Sequence, residues 1–148
     1  MTKCAPEEVT CPHCQASQTV MLYDTLNVTL DPGLKKEFMA GNINTFTCSS
    51  CKEKITVQMS LFYHDMDQHF CAKFIPFEAV FNNDFIREQI TSQGQMNFEV
   101  PDLLKDNPAF DYFANPHIVF SIDELIRYVI FRERVAIVHA RPEGSGAV

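Results

Sequence analysis

The chain has 148 residues and a formal net charge of −7 at pH 7, and this length suits one compact core or two small units. The acidic balance disfavours sequence-independent binding to nucleic acid, because phosphate backbones attract basic surfaces. The N-terminal segment lacks the apolar stretch of a secretory signal, and no stretch approaches the length and hydrophobicity of a membrane span. We therefore expect a cytoplasmic protein that does not insert into a membrane.

The first half of the chain is organised around two Cys-x-x-Cys motifs, Cys11-Pro12-His13-Cys14 and Cys48-Ser49-Ser50-Cys51. Alternating apolar residues predict one long strand or two short ones over 18–30. Asp31 as a cap with Pro32 at the first helical position predicts a helix that stops at Gly41. Short apolar runs predict a strand over 44–47 and another over 55–63. A strand, a Cys motif and a strand, repeated around one ion, are typical of a zinc ribbon, here with an inserted helix.

The second half shows weaker patterns. Residues 70–81 suggest a strand interrupted at Pro76, 85–90 suggest a short helix, and three prolines between 101 and 116 indicate irregular connections. Ser121 and Glu124 form a capping box before an apolar helical repeat, which predicts a largely buried helix that ends by Pro142. We predict an α+β fold with antiparallel strands, in which a zinc-ribbon-like part, 1–76, packs with a C-terminal α+β part, 77–148, as one compact unit.

The four paired cysteines predict a metal site. Cytoplasmic thiols stay reduced, so paired cysteines there favour metal binding over disulfides. Cys11, Cys14, Cys48 and Cys51 would supply four thiolates to one structural Zn²⁺ per chain, in a closed tetrahedral shell with no open position for substrate. Iron accepts the same thiolate shell. The alternative is dithiol redox chemistry, but such enzymes usually place one pair at a helix N-terminus.

Two further segments accompany the cysteine motifs: Leu26-Asn27-Val28-Thr29-Leu30-Asp31-Pro32 lies between them, and Leu61-Phe62-Tyr63-His64-Asp65-Met66 follows later in the chain. With these motifs and segments, the chain resembles the bacterial CpXC proteins over most of its length. That family is named for Cys-Pro-x-Cys pairs and is regarded as zinc-binding, with no established activity. The resemblance implies the same four cysteines as ligands. The chain departs from the family pattern in two ways. Ser49 replaces the proline of the second motif. Gln15 and Lys52 follow the second cysteine of each motif, where such metal-binding turns, called knuckles, often carry glycine, which adopts left-handed backbone conformations more easily.

Other polar residues form weaker candidates. His64, Asp65 and His69 suggest a second metal site or an acid/base pair, but adjacent strand residues face opposite sides of a sheet, which favours a turn with satisfied polar groups. We expect Cys4 to be a spare thiol in a mobile segment and Cys71 to be a small buried apolar residue.

Three classes of function remain open. The acidity, the thirteen phenylalanines and the closed metal shell favour a non-enzymatic module that binds a protein partner or self-associates. The second class is nucleic-acid binding through a ribbon face around Lys52, Lys54 and Lys73, which the net charge disfavours. The third is an enzyme that uses His64, Asp65 or Tyr63 in a cleft, and it requires these side chains to converge.

Overall fold

The computed structural model describes residues 1–97 and 99–140 and shows an α+β fold. Its helices are α1 (Pro32–Met39), α2 (Asn83–Gln89), α3 (Asp102–Lys105) and α4 (Ile122–Ala140), with 3₁₀ helices at Phe77–Phe81 and Pro108–Ala114. Its strands are β1 (Lys3–Thr10), β2 (Ser17–Asn27), β3 (Thr45–Thr47), β4 (Lys54–Thr56), β5 (Leu61–Asp65), β6 (Phe70–Phe74) and β7 (His117–Val119).

The strands form two sheets. The larger has the order β1-β2-β5-β6-β7, and the smaller is the β3-β4 hairpin. β1 and β2 are antiparallel, as are β5 and β6, whereas β2 pairs parallel with β5 and β6 pairs parallel with β7. The larger sheet is therefore mixed, and the prediction of antiparallel strands holds only for its hairpins.

The core lies on one face of the larger sheet. Side chains alternate along a strand, so Leu61 and Tyr63 of β5 share the face that carries Ala72 and Phe74 of the paired strand β6. The helices cover this face with buried side chains: Phe38 from α1, and Leu125 and Val129 from α4. α4 is placed by the predicted cap, in which the Ser121 hydroxyl accepts from the Glu124 N–H at 3.1 Å.

The opposite face carries Phe62, His64, Cys71 and Lys73, and the 3₁₀ helix at 108–114 contacts β6 there. Tyr112 and Phe113 of that segment lie against His64, with ring centroids 5.6 and 4.9 Å from the imidazole. No helix in the described part of the chain is long and apolar enough to cross a membrane.

Several predicted element boundaries are wrong. The strand expected over 55–63 is two strands in different sheets, β4 and β5, separated by residues 57–60. The strand expected over 70–81 ends at Phe74 and is followed by a 3₁₀ helix. The segment around Cys4 belongs to β1, and neither β1 nor β7 was predicted. Asp31 precedes α1 but makes no side-chain cap hydrogen bond.

Candidate metal centre

Each Cys-x-x-Cys motif forms the turn of a β-hairpin. The first turn joins β1 to β2, which pair up to Thr10 and Ser17, and the second joins β3 to β4, which pair up to Thr47 and Lys54. Because a hairpin turn is held by the register of its two strands, the pairing fixes where each pair of thiols points.

The two turns share one backbone hydrogen-bond pattern. In the first, the Gln15 N–H donates to the Cys11 carbonyl at 2.9 Å, and the Cys11 N–H donates to the Ala16 carbonyl at 2.8 Å. In the second, the Lys52 N–H donates to the Cys48 carbonyl at 3.0 Å, and the Cys48 N–H donates to the Glu53 carbonyl at 2.8 Å. The sequence similarity of the motifs therefore extends to their geometry.

The residue after each second cysteine adopts the left-handed conformation that glycine favours. Gln15 has φ 64° and Lys52 has φ 65°. A side chain at such a position costs roughly 1–2 kcal/mol relative to right-handed backbone. The departures from glycine thus leave the knuckle shape intact, and the surrounding hydrogen bonds hold two strained residues in place.

Two side chains outside the cysteine motifs, which the sequence did not identify, connect the hairpins by hydrogen bonds. Gln18 accepts a hydrogen bond from the Ser49 N–H at 2.8 Å, which links the first hairpin to the second turn. Asn44 accepts from the Tyr23 N–H at 2.7 Å and donates to the Tyr23 carbonyl at 2.9 Å, so its amide replaces a backbone neighbour of β2. Asn44 has a positive φ of 56°. Asparagine tolerates this conformation better than most residues do, and this tolerance is the one property of the residue type that could have pointed to the position.

These connections bring the four sulfur atoms into one cluster. All four lie within 4.8 Å of one another. The Cys11 and Cys51 sulfurs are 3.7 Å apart, and the Cys14 and Cys48 sulfurs are 3.6 Å apart. Four sulfurs at about 2.3 Å from a central ion in a regular tetrahedron would be about 3.8 Å apart. The cluster is therefore compatible with a tetrahedral metal ion.

The surroundings of the second motif favour a thiolate at Cys48 and a neutral thiol at Cys51. Backbone N–H groups of Cys51 and Ser50 lower the pKa of the Cys48 thiol to about 6. The Glu53 N–H also favours a Cys51 thiolate, but burial and the three neighbouring cysteines outweigh it and raise the pKa of Cys51 to about 12. A bound divalent cation would stabilise the thiolate form of its ligands, so metal binding to such a cluster releases protons.

The geometry gives no support to dithiol redox chemistry. All six cysteines are free thiols, and the two short sulfur contacts both run between the knuckles. Neither motif begins a helix, the position at which a redox thiol gains acidity. Cys11 and Cys48 are buried, whereas Cys14 is exposed. The arrangement is compatible with an ion held between the two hairpin turns.

The His64 and Asp65 side chains do not converge. His64 Nε2 lies 2.8 Å from the Tyr112 hydroxyl, whereas Asp65 lies on the other face, where its carboxylate accepts from the Gln68 N–H at 3.0 Å. Burial, together with the positive N-terminus, lowers the pKa of His64 to about 4. His69 stacks on Tyr112 instead of joining His64. The acid/base pair considered from sequence is therefore not formed.

The remaining candidates lie apart from the cluster. Cys4 is exposed on β1, and Cys71 is buried on β6, where burial raises the pKa of its thiol to about 12. Lys54 belongs to the β3-β4 hairpin, and the Lys52 ammonium donates to the Ser49 carbonyl at 2.7 Å. Lys73 belongs to the other sheet, and burial lowers its pKa.

Fold and site define a class: an α+β protein with a four-cysteine cluster compatible with a structural metal ion. The family model of the CpXC proteins matches residues 9–142, nearly the whole chain, and this chain belongs to that family. Comparisons with curated proteins and with solved structures gave no significant match.

Proposed function

We propose that this chain is a structural zinc protein that works as a protein-interaction module. In this proposal one Zn²⁺ per chain is bound by Cys11, Cys14, Cys48 and Cys51, and it joins the two hairpins in the manner of a zinc ribbon. The observation that carries the proposal is the sulfur cluster, in which pairs from different knuckles are 3.6 and 3.7 Å apart. A reducing compartment such as the cytoplasm keeps these thiols available for the ion.

In this proposal four cysteines fill the coordination shell of the metal, which leaves no position for a substrate, so we place the function on the surface of the protein. The C-terminal part of α4 supports a binding role, because Phe131 and Val138 are 57% and 55% exposed. At 100° per residue they lie on the side of α4 opposite the buried Leu125 and Val129. The exposed apolar side chains on this side are Ile130, Phe131, Val135, Ile137 and Val138, and we name them the α4 face.

The α4 face places five exposed apolar side chains on the outer side of one helix, with the exposed Arg134 among them. Exposed apolar surface that is bordered by polar residues is a feature of sites of protein association. We therefore propose another protein chain as the ligand of this face, and a second copy of this chain is the partner to test first. Single acidic substitutions on the face should separate association from folding, because these side chains contribute little to the core.

Native mass spectrometry of freshly purified full-length protein tests both parts. We expect one zinc per chain and a dimer whose population rises with concentration. Cys48→Ser should abolish zinc retention, whereas Cys4→Ser, which changes an exposed cysteine outside the cluster, should keep it. Phe131→Glu should remove the dimer and keep the zinc. Because Cys48→Ser could prevent folding, a chelator titration of the unmodified chain provides the second measurement.

Two outcomes would contradict the proposal. A folded, metal-free chain about 4 Da lighter than the reduced mass would indicate two disulfides and restore the redox interpretation. A monomer at every concentration would reject self-association through the α4 face. Iron in place of zinc would leave the structural role and change the metal.

A further inference from the structure

A cavity of about 360 Å³ lies at the end of the larger sheet where the parallel strands β6 and β7 begin. Its walls come from both faces of the sheet. Tyr112 belongs to the 3₁₀ helix at 108–114 on one face, and Tyr128 and Arg132 belong to α4 on the other. His69 and His117 stand at the strand ends. The volume falls within the range of roughly 300–1,000 Å³ that is typical of small-molecule sites. The cavity is separate from the cysteine cluster, with which it shares no residue.

The charge of this cavity is opposite to that of the protein. The chain has 19 acidic residues against 12 lysines and arginines, yet the described residues that line the cavity include no aspartate or glutamate. They include one arginine and two histidines. A concave surface that bears hydrogen-bond donors and no carboxylate favours an anionic ligand, because no fixed negative charge repels it.

Arg132 is the centre of this positive region. Its guanidinium lies 4.6 Å from the centroid of the Phe70 ring, and it donates to the Gln68 carbonyl at 3.2 Å and to the Tyr128 hydroxyl at 3.3 Å. Within residues 1–97 and 99–140 no carboxylate lies within ion-pair distance of Arg132. A guanidinium has five N–H donors, so three remain for a ligand. The contacts with Phe70 and Gln68 hold it in a defined orientation.

Two stacked ring pairs line the cavity. His117 stacks on Tyr128 with centroids 4.0 Å apart and planes 7° apart, and His69 stacks on Tyr112 at 5.5 Å and 10°. Flat side chains held by such stacking offer rigid surfaces to a planar group, and aromatic and cationic planes together recognise planar anions. The His69 backbone has φ 51°, a left-handed conformation that is uncommon for residues other than glycine, so its ring is placed at a local cost.

We propose that this cavity binds a small organic anion that carries a planar ring, such as a mononucleotide or an aromatic carboxylate. Arg132 binds the phosphate or carboxylate group through its remaining N–H donors. The stacked rings of His69 and Tyr112, and of His117 and Tyr128, contact the planar ring. This binding would be separate from the proposed metal centre, with which the cavity shares no residue.

The test is an NMR titration of the zinc-loaded full-length chain with adenosine 5′-monophosphate and, separately, 4-hydroxybenzoate. We expect at least one of them to shift the ring resonances of His69, Tyr112, His117 and Tyr128 in a saturable way. For a ligand that binds, Arg132→Gln should raise Kd about ten-fold or more, since a charge-assisted hydrogen bond is lost. Arg134→Gln, an exposed arginine on the same helix that does not line the cavity, should change Kd less than about two-fold.

A neutral probe tests the role of the charge. Adenosine, or phenol for the smaller ligand, should bind about ten-fold or more weakly than the corresponding anion. His117→Ala is the second variant if Arg132→Gln does not fold, because His117 is exposed and forms one wall. It should also weaken binding. Absence of saturable shifts with both anions, equal binding of the neutral probe, or unchanged affinity in the folded variants would overturn the proposal.

Discussion

The Tyr63 hydroxyl is an unusual group for the centre of a small core. Tyr63 is fully buried on β5, where its ring lies 5.0 Å from that of Phe38 and 5.7 Å from that of Phe70. Its hydroxyl is buried and has no hydrogen-bond partner among the described residues. Burial, with the nearby charges of Asp65 and Glu133, raises the pKa of Tyr63, so the group stays neutral. A neutral hydroxyl in this position loses its bonds to water and gains none in return.

We therefore expect Tyr63→Phe to stabilise the protein by about 1 kcal/mol, because the ring contacts stay and an unsatisfied polar atom is removed. The matched control is Tyr112→Phe, which removes a hydroxyl bonded to His64 Nε2 at 2.8 Å and should cost about 1 kcal/mol. Urea unfolding of the zinc-loaded proteins measures both. A loss of stability in Tyr63→Phe would show that this hydroxyl has a hydrogen-bond partner in solution.

Single residues differ in how far the sequence predicts them. Cys-x-x-Cys spacing identified the four cysteines of the cluster, because the spacing itself reflects a turn that directs two thiols to one point. The role of Asn44 was not predictable, because its amide pairs with the backbone of Tyr23, 21 positions away. The conformations of Gln15 and Lys52, in contrast, follow from the motif: the position after the second cysteine predicts a left-handed backbone, although both residue types disfavour it.

At the scale of elements, one cation joins three parts of the fold. Lys35 of α1 forms an ion pair with Glu133 of α4, and its ammonium lies 3.6 Å from the carboxylate of Asp65 on β5. Burial acts to lower the pKa of Lys35, but Glu133 and Asp65 outweigh it and raise the pKa. The Asp65 side chain is only 5% exposed, so removal of its partner would leave a charge that solvent reaches poorly.

Lys35→Met should therefore lower the free energy of unfolding by about 2–4 kcal/mol, because it leaves the Asp65 carboxylate without a cation. Lys105→Met is the matched control, since Lys105 pairs with Asp102, whose side chain is 93% exposed, and its loss should cost less than about 0.5 kcal/mol. Denaturant unfolding at neutral pH compares the two. Equal small effects would mean that water already solvates Asp65 and that the helices do not depend on this link.

The element predictions failed where long-range pairing overrides the local pattern. Residues 55–63 alternate as one strand would, but β4 completes the second hairpin, whereas β5 enters the larger sheet beside β2. β1 carries mostly exposed residues, so it has no apolar signal, and its strand form comes from pairing with β2. The location of α4 was predicted better, because a capping box and an apolar repeat are both local. The expectation of a largely buried helix is wrong, since only Leu125 and Val129 of its 19 residues are buried.

At the scale of the whole molecule, the two parts of the chain share one sheet and one core. β7 pairs with β6, and Val119, Leu125 and Val129 from the second part belong to the same buried cluster as Tyr63 and Phe74. A fragment of residues 1–76 would lose the pairing partner of β6 and the helix that covers the core. We propose that 1–76 and 77–148 form one cooperative unit, in which zinc organises the hairpins and α4 covers the sheet.

The fragment 1–76 tests this unit. We expect it to bind zinc through its four cysteines and to show no cooperative thermal transition. The apolar side chains lost or uncovered contribute about 1.5–3 kcal/mol each on burial, and several of them together exceed the net stability of about 5–15 kcal/mol that is usual for a domain. The control fragment 1–140 keeps β7 and α4 and should melt like the full chain. Calorimetry of both fragments with zinc bound compares their unfolding transitions. A cooperative transition in fragment 1–76 would contradict the single unit. It would mean that the cysteine cluster and its hairpins fold as a domain of their own, and that α4 docks onto a structure already formed.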